Sequence, residues 1–294
     1  MLVLRRKNQT NSLTSFFAMR RAVILVFICL TPIFGFCQSE EIGIFAGGSY
    51  YLGDLNPAKQ FYNTNFAPGL LYRYNMKDNR WVLRIHFTYG TVEARDADSK
   101  IQSNIDRNLD FRSYIIEAGP IMELNFIEYE MGTRTNFGNK NRKSGTAYIF
   151  AGVNYFRMRP EGTLDNIMVE LQPLGTEGQE SSQNSDKRYN LNQISIPVGL
   201  GIKFNLGPRI ACSFEYGLRK TFTDYLDDVS GTYVDPVTLA LENGPIAAQM
   251  ANKNADAIVL DGQQRGNPGT KDWYVFAGAI LSYRLNKPGT CKKW

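Results

Sequence analysis

The stretch at residues 192–206, NQISIPVGLGIKFNL, constrains the fold more than any other part of the chain. Its alternate residues from Ile194 are Ile194, Ile196, Val198, Leu200, Ile202, Phe204 and Leu206; between them fall Gln193, Ser195, Pro197, Gly199, Gly201, Lys203 and Asn205. A period of two puts the first set on one face of a strand and the second on the other. Strands of small soluble sandwiches run to about five or six residues, whereas a tilted strand crossing a membrane needs roughly ten. The run reads as one wall strand of a membrane barrel, with a long strand of a soluble lipocalin-like barrel as the competing reading.

Seven more runs join it. The predicted strands are residues 41–51, 67–76, 80–92, about 110–129, 146–157, 192–206, 209–222 and 272–285. In the third, Trp81, Leu83, Ile85, Phe87 and Tyr89 point one way and Val82, Arg84, His86 and Thr88 the other. In the fourth, Tyr114, Ile116, Ala118, Met122, Leu124 and Phe126 oppose Glu117, Gly119, Glu123 and Asn125. The first strand is glycine-rich and the fifth alternates weakly, so register is least defined there and in the second. Short polar turns at 77–79 and 207–208 and a moderate basic turn at 132–145 alternate with long connections at 52–66, 93–109, 160–191 and 223–271. An even strand count with loop length sorted this way belongs to outer-membrane barrels; a soluble sandwich has no reason for it. The expected architecture is all-β: an eight-stranded antiparallel transmembrane β-barrel with a side-chain-filled interior, short periplasmic turns and long extracellular loops. It would sit in a bacterial outer membrane with both termini periplasmic.

The start of the chain agrees on export. Arg20 and Arg21 precede AVILVFICL, then Thr31, Pro32 and a GFCQS exit, the pattern of a secretory signal. Gly35 and Cys37 supply the small residues, so residues 1–37 are read as an N-terminal extension and signal, with Met19 an alternative start, and 38–294 as a single barrel domain. A lipoprotein reading, with Cys37 acylated, fits less well because bulky Phe36 precedes the cysteine. No later segment has the long apolar run of a membrane helix. The net charge of +5 includes the basic signal region, and the remaining basic residues are scattered, so no nucleic-acid partner is expected.

Chemistry-bearing residues are sparse. His86 is the one histidine, which argues against a histidine metal site or a catalytic triad. Cys212 and Cys291 remain after cleavage, as one disulfide or two separate thiols, at a spacing that fits no zinc pattern. Asp224, Asp227, Asp228 and Asp235 cluster in the last long loop, either as oxygen ligands for calcium or as a solvated loop base whose aspartates cap turns. No catalytic residue, cofactor, metal or small-molecule substrate is assigned. An eight-stranded barrel has an interior just wide enough for side chains, and charges in it must pair. The inward set Arg84, His86, Glu117, Glu123, Lys203, Glu215, Arg219 and Arg284 is therefore read as a polar plug. Arg134, Lys140, Arg142 and Lys143 in the basic turn, with Lys292 and Lys293 in the tail, are read as a periplasmic contact surface for an acidic partner or lipid headgroups.

Three stretches carry a resemblance: GGSYYLGDLNP at 47–57, IPVGLGIKF at 196–204 and TDYLDDVSGTYVD at 223–235. In this order, inside an exported eight-strand barrel, the chain resembles the PorG family, outer-membrane barrels of the type IX secretion system. The likeness covers essentially the whole mature chain, and its GDLNP and DYLDDVSGTY loops are the more specific parts. It implies a non-enzymatic role in that apparatus, beside the periplasmic ring of the lipoprotein PorK and its partner PorN. One departure stands out: many such barrels end on an aromatic residue completing the last strand, but Trp294 is separated from it by residues 286–293. Two other function classes stay open. A surface adhesion or ligand-binding barrel would use the long loops. An outer-membrane enzyme would need a nucleophile and base near the outer rim, whereas His86 is placed mid-strand and inward.

Overall fold

A computed structural model describes residues 39–76, 78–132, 145–253 and 261–286. The signal region, most of the basic turn and the tail lie outside the described residues. So do Arg134, Lys140, Arg142, Lys143, Cys291, Lys292, Lys293 and Trp294.

Ten antiparallel segments build the sheet: β1 (Ser39–Leu52), β2 (Asn65–Asn75), β3 (Trp81–Arg95), β4 (Asp110–Asn125), β5 (Gly145–Gly152), β6 (Asn154–Leu164), β7 (Ile167–Glu170), β8 (Asn192–Asn205), β9 (Ile210–Thr221) and β10 (Trp273–Arg284). β1 pairs with both β2 and β10, β3 with both β2 and β4, and β9 with both β8 and β10, so the sheet closes on itself. β5 and β6 together form the fifth of eight walls, each pairing with β4 on one side and β8 on the other. Closure leaves no strand edge in the ring, which is what a chain without backbone partners in hydrocarbon requires.

The fifth wall is not the single run 146–157. It breaks at Val153, between Ile121↔Gly152 and Ala118↔Tyr155 on the β4 side and between Ala151↔Val198 and Asn154↔Ser195 on the β8 side. Pro120 of β4 and Pro197 of β8 face the break from opposite sides. Neither has an N–H to donate, so the ladder fails there from both neighbours. The wall then runs past the barrel to Leu164 and turns back as β7, a hairpin inside what the sequence presents as one long connection, 160–191.

Outward and inward faces follow the alternation. Ile44, Leu70, Ile85, Ile116, Leu200 and Phe214 stand exposed around the outside, an apolar girdle that only a membrane interior would cover. The chain is thus a transmembrane β-barrel of the outer-membrane type. Cys212 lies half-buried on the outer face and is free among the described residues.

At the opposite end from the short turns, the long connections are not solvated loops. They carry α1 (Gln102–Arg107), α2 (Pro236–Glu242) and α3 (Pro245–Ala251). Leu55, Leu109, Leu171, Leu226, Val229 and Met250 pack from these connections onto Tyr51, Phe111, Met158 and Phe276 at the barrel rim, so a single apolar cluster runs from the lumen into a folded cap.

Candidate functional site

The lumen is built by parity. Side chains from alternate positions on all eight walls meet across a space that they fill. At the centre, Glu123 on β4 accepts from Arg73 Nε (2.9 Å) and Lys203 Nζ (2.8 Å) and lies 3.1 Å from Arg84 Nη1. The same Arg84 donates to Glu215 (2.5 Å), whose carboxylate also accepts from the Tyr148 hydroxyl (3.0 Å). Nearer the cap, Glu117 contacts His86 Nε2 (3.0 Å), Arg219 Nη2 (3.1 Å) and the Tyr274 hydroxyl (2.8 Å). Nearer the short turns, Arg284 pairs with Glu130 (3.3 Å) and donates to the Met131 carbonyl, and Asn75 donates to Glu41 (2.8 Å). Aromatic faces complete the cation shells: Arg84 lies 4.9 Å from the Phe150 ring and Arg219 4.8 Å from that of Phe276.

All eight residues named as the inward set lie buried in this network. Arg73, Glu41, Tyr148 and Tyr274 belong to it as well, beyond the set named from sequence. Arg73 lies two residues from both Leu71 and Asn75 on the inner face of β2. The space left between Phe45, Leu71, Arg84, His86, Thr88 and Glu215 is about 10 Å³, room for one water at most.

The cap holds a second buried polar cluster of different make. Asp224, Asp227 and Asp228 are buried, not solvated, and Asp235 stands apart as the N-cap of α2, accepting from Thr238 N at 2.8 Å. Tyr51, at the end of β1, places its hydroxyl 2.5 Å from Asp227 Oδ2 and 2.8 Å from Asp272 Oδ1. A hydroxyl carries one hydrogen, so both contacts are hydrogen bonds only if one carboxyl keeps its proton. The second oxygens accept from Val229 N (3.0 Å) and Leu226 N (2.9 Å). Asp228 accepts from the Tyr189 hydroxyl (2.7 Å) and from Thr176, and Arg265 joins it to Glu177 (3.0 Å). Asp224 accepts from Ser230 Oγ (2.6 Å).

Burial sets the protonation of this cluster. It pushes the Asp228 and Asp224 carboxyls up to about 6, against Arg265 and the hydroxyl donors of Thr176 and Ser230, which act the other way. Asp227 and Asp272 are held well above the usual carboxylate range, first by burial; for Asp227 the facing charge of Asp272 comes next. Among the described residues no group of three or more His, Cys, Asp and Glu side chains is arranged to hold a metal ion, because these oxygens point at hydroxyls and amides. The arrangement fastens loops to the rim.

One family model matches, over residues 20–243, and its description is "Domain of unknown function (DUF6089)". No curated protein matches the chain. Among solved structures, Neisserial surface protein A shares 11% identity over 83% of this chain and 96% of its own, at a TM-score of 0.38. Ail of Yersinia pestis, crystallised with the heparin analogue sucrose octasulfate, shares 12% over 84% and 99%, at 0.36. A major outer membrane protein from Thermus thermophilus shares 12% over 84% and 99%, at 0.38. Likeness at that level says nothing about function. With the family model spanning the barrel through β9 and into the cap, the chain belongs to the DUF6089 family.

Proposed function

We propose that this barrel is a non-enzymatic outer-membrane component of a type IX protein secretion apparatus, anchoring or assembling the periplasmic ring lipoprotein and its partner at the membrane. The observation that supports this most is the filled lumen. Five cations (Arg73, Arg84, Lys203, Arg219, Arg284) face five carboxylates (Glu41, Glu117, Glu123, Glu215, Glu130) across the interior. Such a barrel carries no solute, so its work lies at its ends. The PorG resemblance implies work at the periplasmic end, which the short turns and both termini would occupy. Gentle detergent extraction of the tagged protein from its own outer membrane, followed by mass spectrometry, tests the reading. Recovery of a ring lipoprotein and its periplasmic partner in constant ratio is the expected result. A clean barrel without them overturns it. Reversing the charge at Arg134, Lys140, Arg142 and Lys143 should weaken that recovery if the basic turn is the contact.

A second reading, surface adhesion through the cap, is favoured by one feature. Val237 and Leu241, one turn apart on α2, are 65% and 81% exposed on the long-loop side. Deleting residues 243–267 should abolish adhesion under this reading and leave secretion largely intact under the first.

A further inference from the structure

The outer wall is not uniformly studded. A groove of about 810 Å³ crosses it from β9 to β4, lined almost wholly by apolar atoms. One wall is the paired row Ile210, Tyr283, Ile42, Tyr72 and Ile85; the other runs from Leu281 through Ile44, Leu70 and Phe87 to Ala118. Between them lies the row of Ser282, Gly43, Leu71 and His86, whose side chains turn inward and leave their backbone as the floor.

The groove climbs. Ile210 is the first residue of β9 and Tyr283 the last but one of β10, both at the short-turn end. Ile85 is the fifth residue of β3, and Ala118 the eighth from the end of β4. Five strand spacings of about 4.8 Å give a length of roughly 24 Å. With strands tilted about 40° from the barrel axis, that length covers roughly 15 Å of depth, one leaflet of a hydrocarbon core of about 30 Å.

Its lower lip is charged, and both charges stand beside groove tyrosines. Arg209, in the turn before β9, donates from Nη1 to the Tyr283 hydroxyl at 3.1 Å. Glu40, the second residue of β1, lies on the same face as Tyr72, which is two residues from its cross-strand partner Tyr74. Neither meets an opposite charge among the described residues. A cation and an anion, held apart by the groove's own walls at the end where a lipid chain would enter, match a zwitterionic headgroup.

We propose that this groove is a phospholipid site: one acyl chain lies along it, the phosphate is held by Arg209 and the headgroup ammonium by Glu40. The lipid class is an ethanolamine phospholipid of the leaflet at the short-turn end. Choline lipids carry the same charges but no N–H donor for Glu40, and glycerol lipids carry no cation at all.

Native mass spectrometry of the detergent-extracted barrel, supplied with dioleoyl-phosphatidylethanolamine, -phosphatidylcholine or -phosphatidylglycerol, tests this. The wild type should retain one ethanolamine lipid about tenfold better than either competitor, the size of one charge-assisted hydrogen bond. Glu40→Gln should remove that preference and leave glycerol-lipid retention unchanged. Arg209→Gln should lower retention of all three. The heat-dependent gel shift of an intact barrel serves as the folding control for both variants. Equal stripping of the three lipids from the wild type, or unchanged retention in both folded variants, means annular lipid only and overturns the proposal.

Discussion

The lumen and the cap both bury carboxylates away from water, and apart from the Arg265 pairing of Glu177 and Asp228 they solve the problem in opposite ways. In the lumen each of Glu117, Glu123 and Glu215 meets a guanidinium or ammonium within 3.1 Å. In the cap, Asp224, Asp227 and Asp272 are held by hydroxyls and backbone amides, and burial favours the protonated form of the Asp227–Asp272 pair. The difference follows from chain geometry. Long Arg and Lys stems reach across a barrel from fixed positions on facing strands, whereas loops crossing the rim bring short aspartates to backbone N–H groups that need acceptors. Paired charges keep their state across a wide pH range but fail when one partner goes. Hydroxyl-held acids survive substitution and respond to pH.

The largest test of that contrast is Glu123→Gln. It leaves Arg73 and Lys203 without their buried counter-charge and should cost about 3–5 kcal/mol, read as a lower urea midpoint for barrel unfolding. A wild-type midpoint would mean the lumen is not held by charge pairing. Gly47→Ala probes the same region without touching charge: its Cβ would stand 2.3 Å from the Ala277 carbonyl oxygen and 2.8 Å from Gly278 Cα. Overpacking against backbone in the β1–β10 seam should cost about 1–3 kcal/mol, with the pH response of the cap unaltered.

The cap should show the opposite profile. Asp228 binds its proton more tightly folded than unfolded, so its stabilising contribution is complete below the ordinary value of 3.8 and is lost as pH rises through about 6. Asp224 acts in the same direction. Hydrogen exchange corrected for intrinsic rate should show the segments around 224–230 less protected at pH 8 than at pH 5, with the barrel strands unchanged. Equal protection at the two pH values would remove the distinction between the regions. The smallest effect is expected from Asp272→Asn. The amide donates to Tyr51 without needing a trapped proton, so stability should change by under about 1 kcal/mol at pH 5 and rise at pH 8.

Much of the barrel can be read along one strand at a time. Residues two apart share a face, so Arg84 and His86 fall opposite Ile85 and Phe87 whatever the rest of the molecule does. Arg73 is harder to place because β2 has leucines on both faces, Leu70 outward and Leu71 inward, which blurs its parity. The break at Val153 is also out of reach of any single strand. It depends on Pro120 and Pro197 lying opposite one another's gap, a matter of register between three strands. The acidic loop reads as solvated because its partners are remote: Tyr51 is 176 residues from Asp227 and 221 from Asp272. Alternation is a local property of an extended backbone, so the order of residues alone says which side chains turn inward. Which cation meets which carboxylate, and that the long loops fold into a cap with its own buried acids, depends instead on register and closure of the ring. Those bring together residues that no local pattern links.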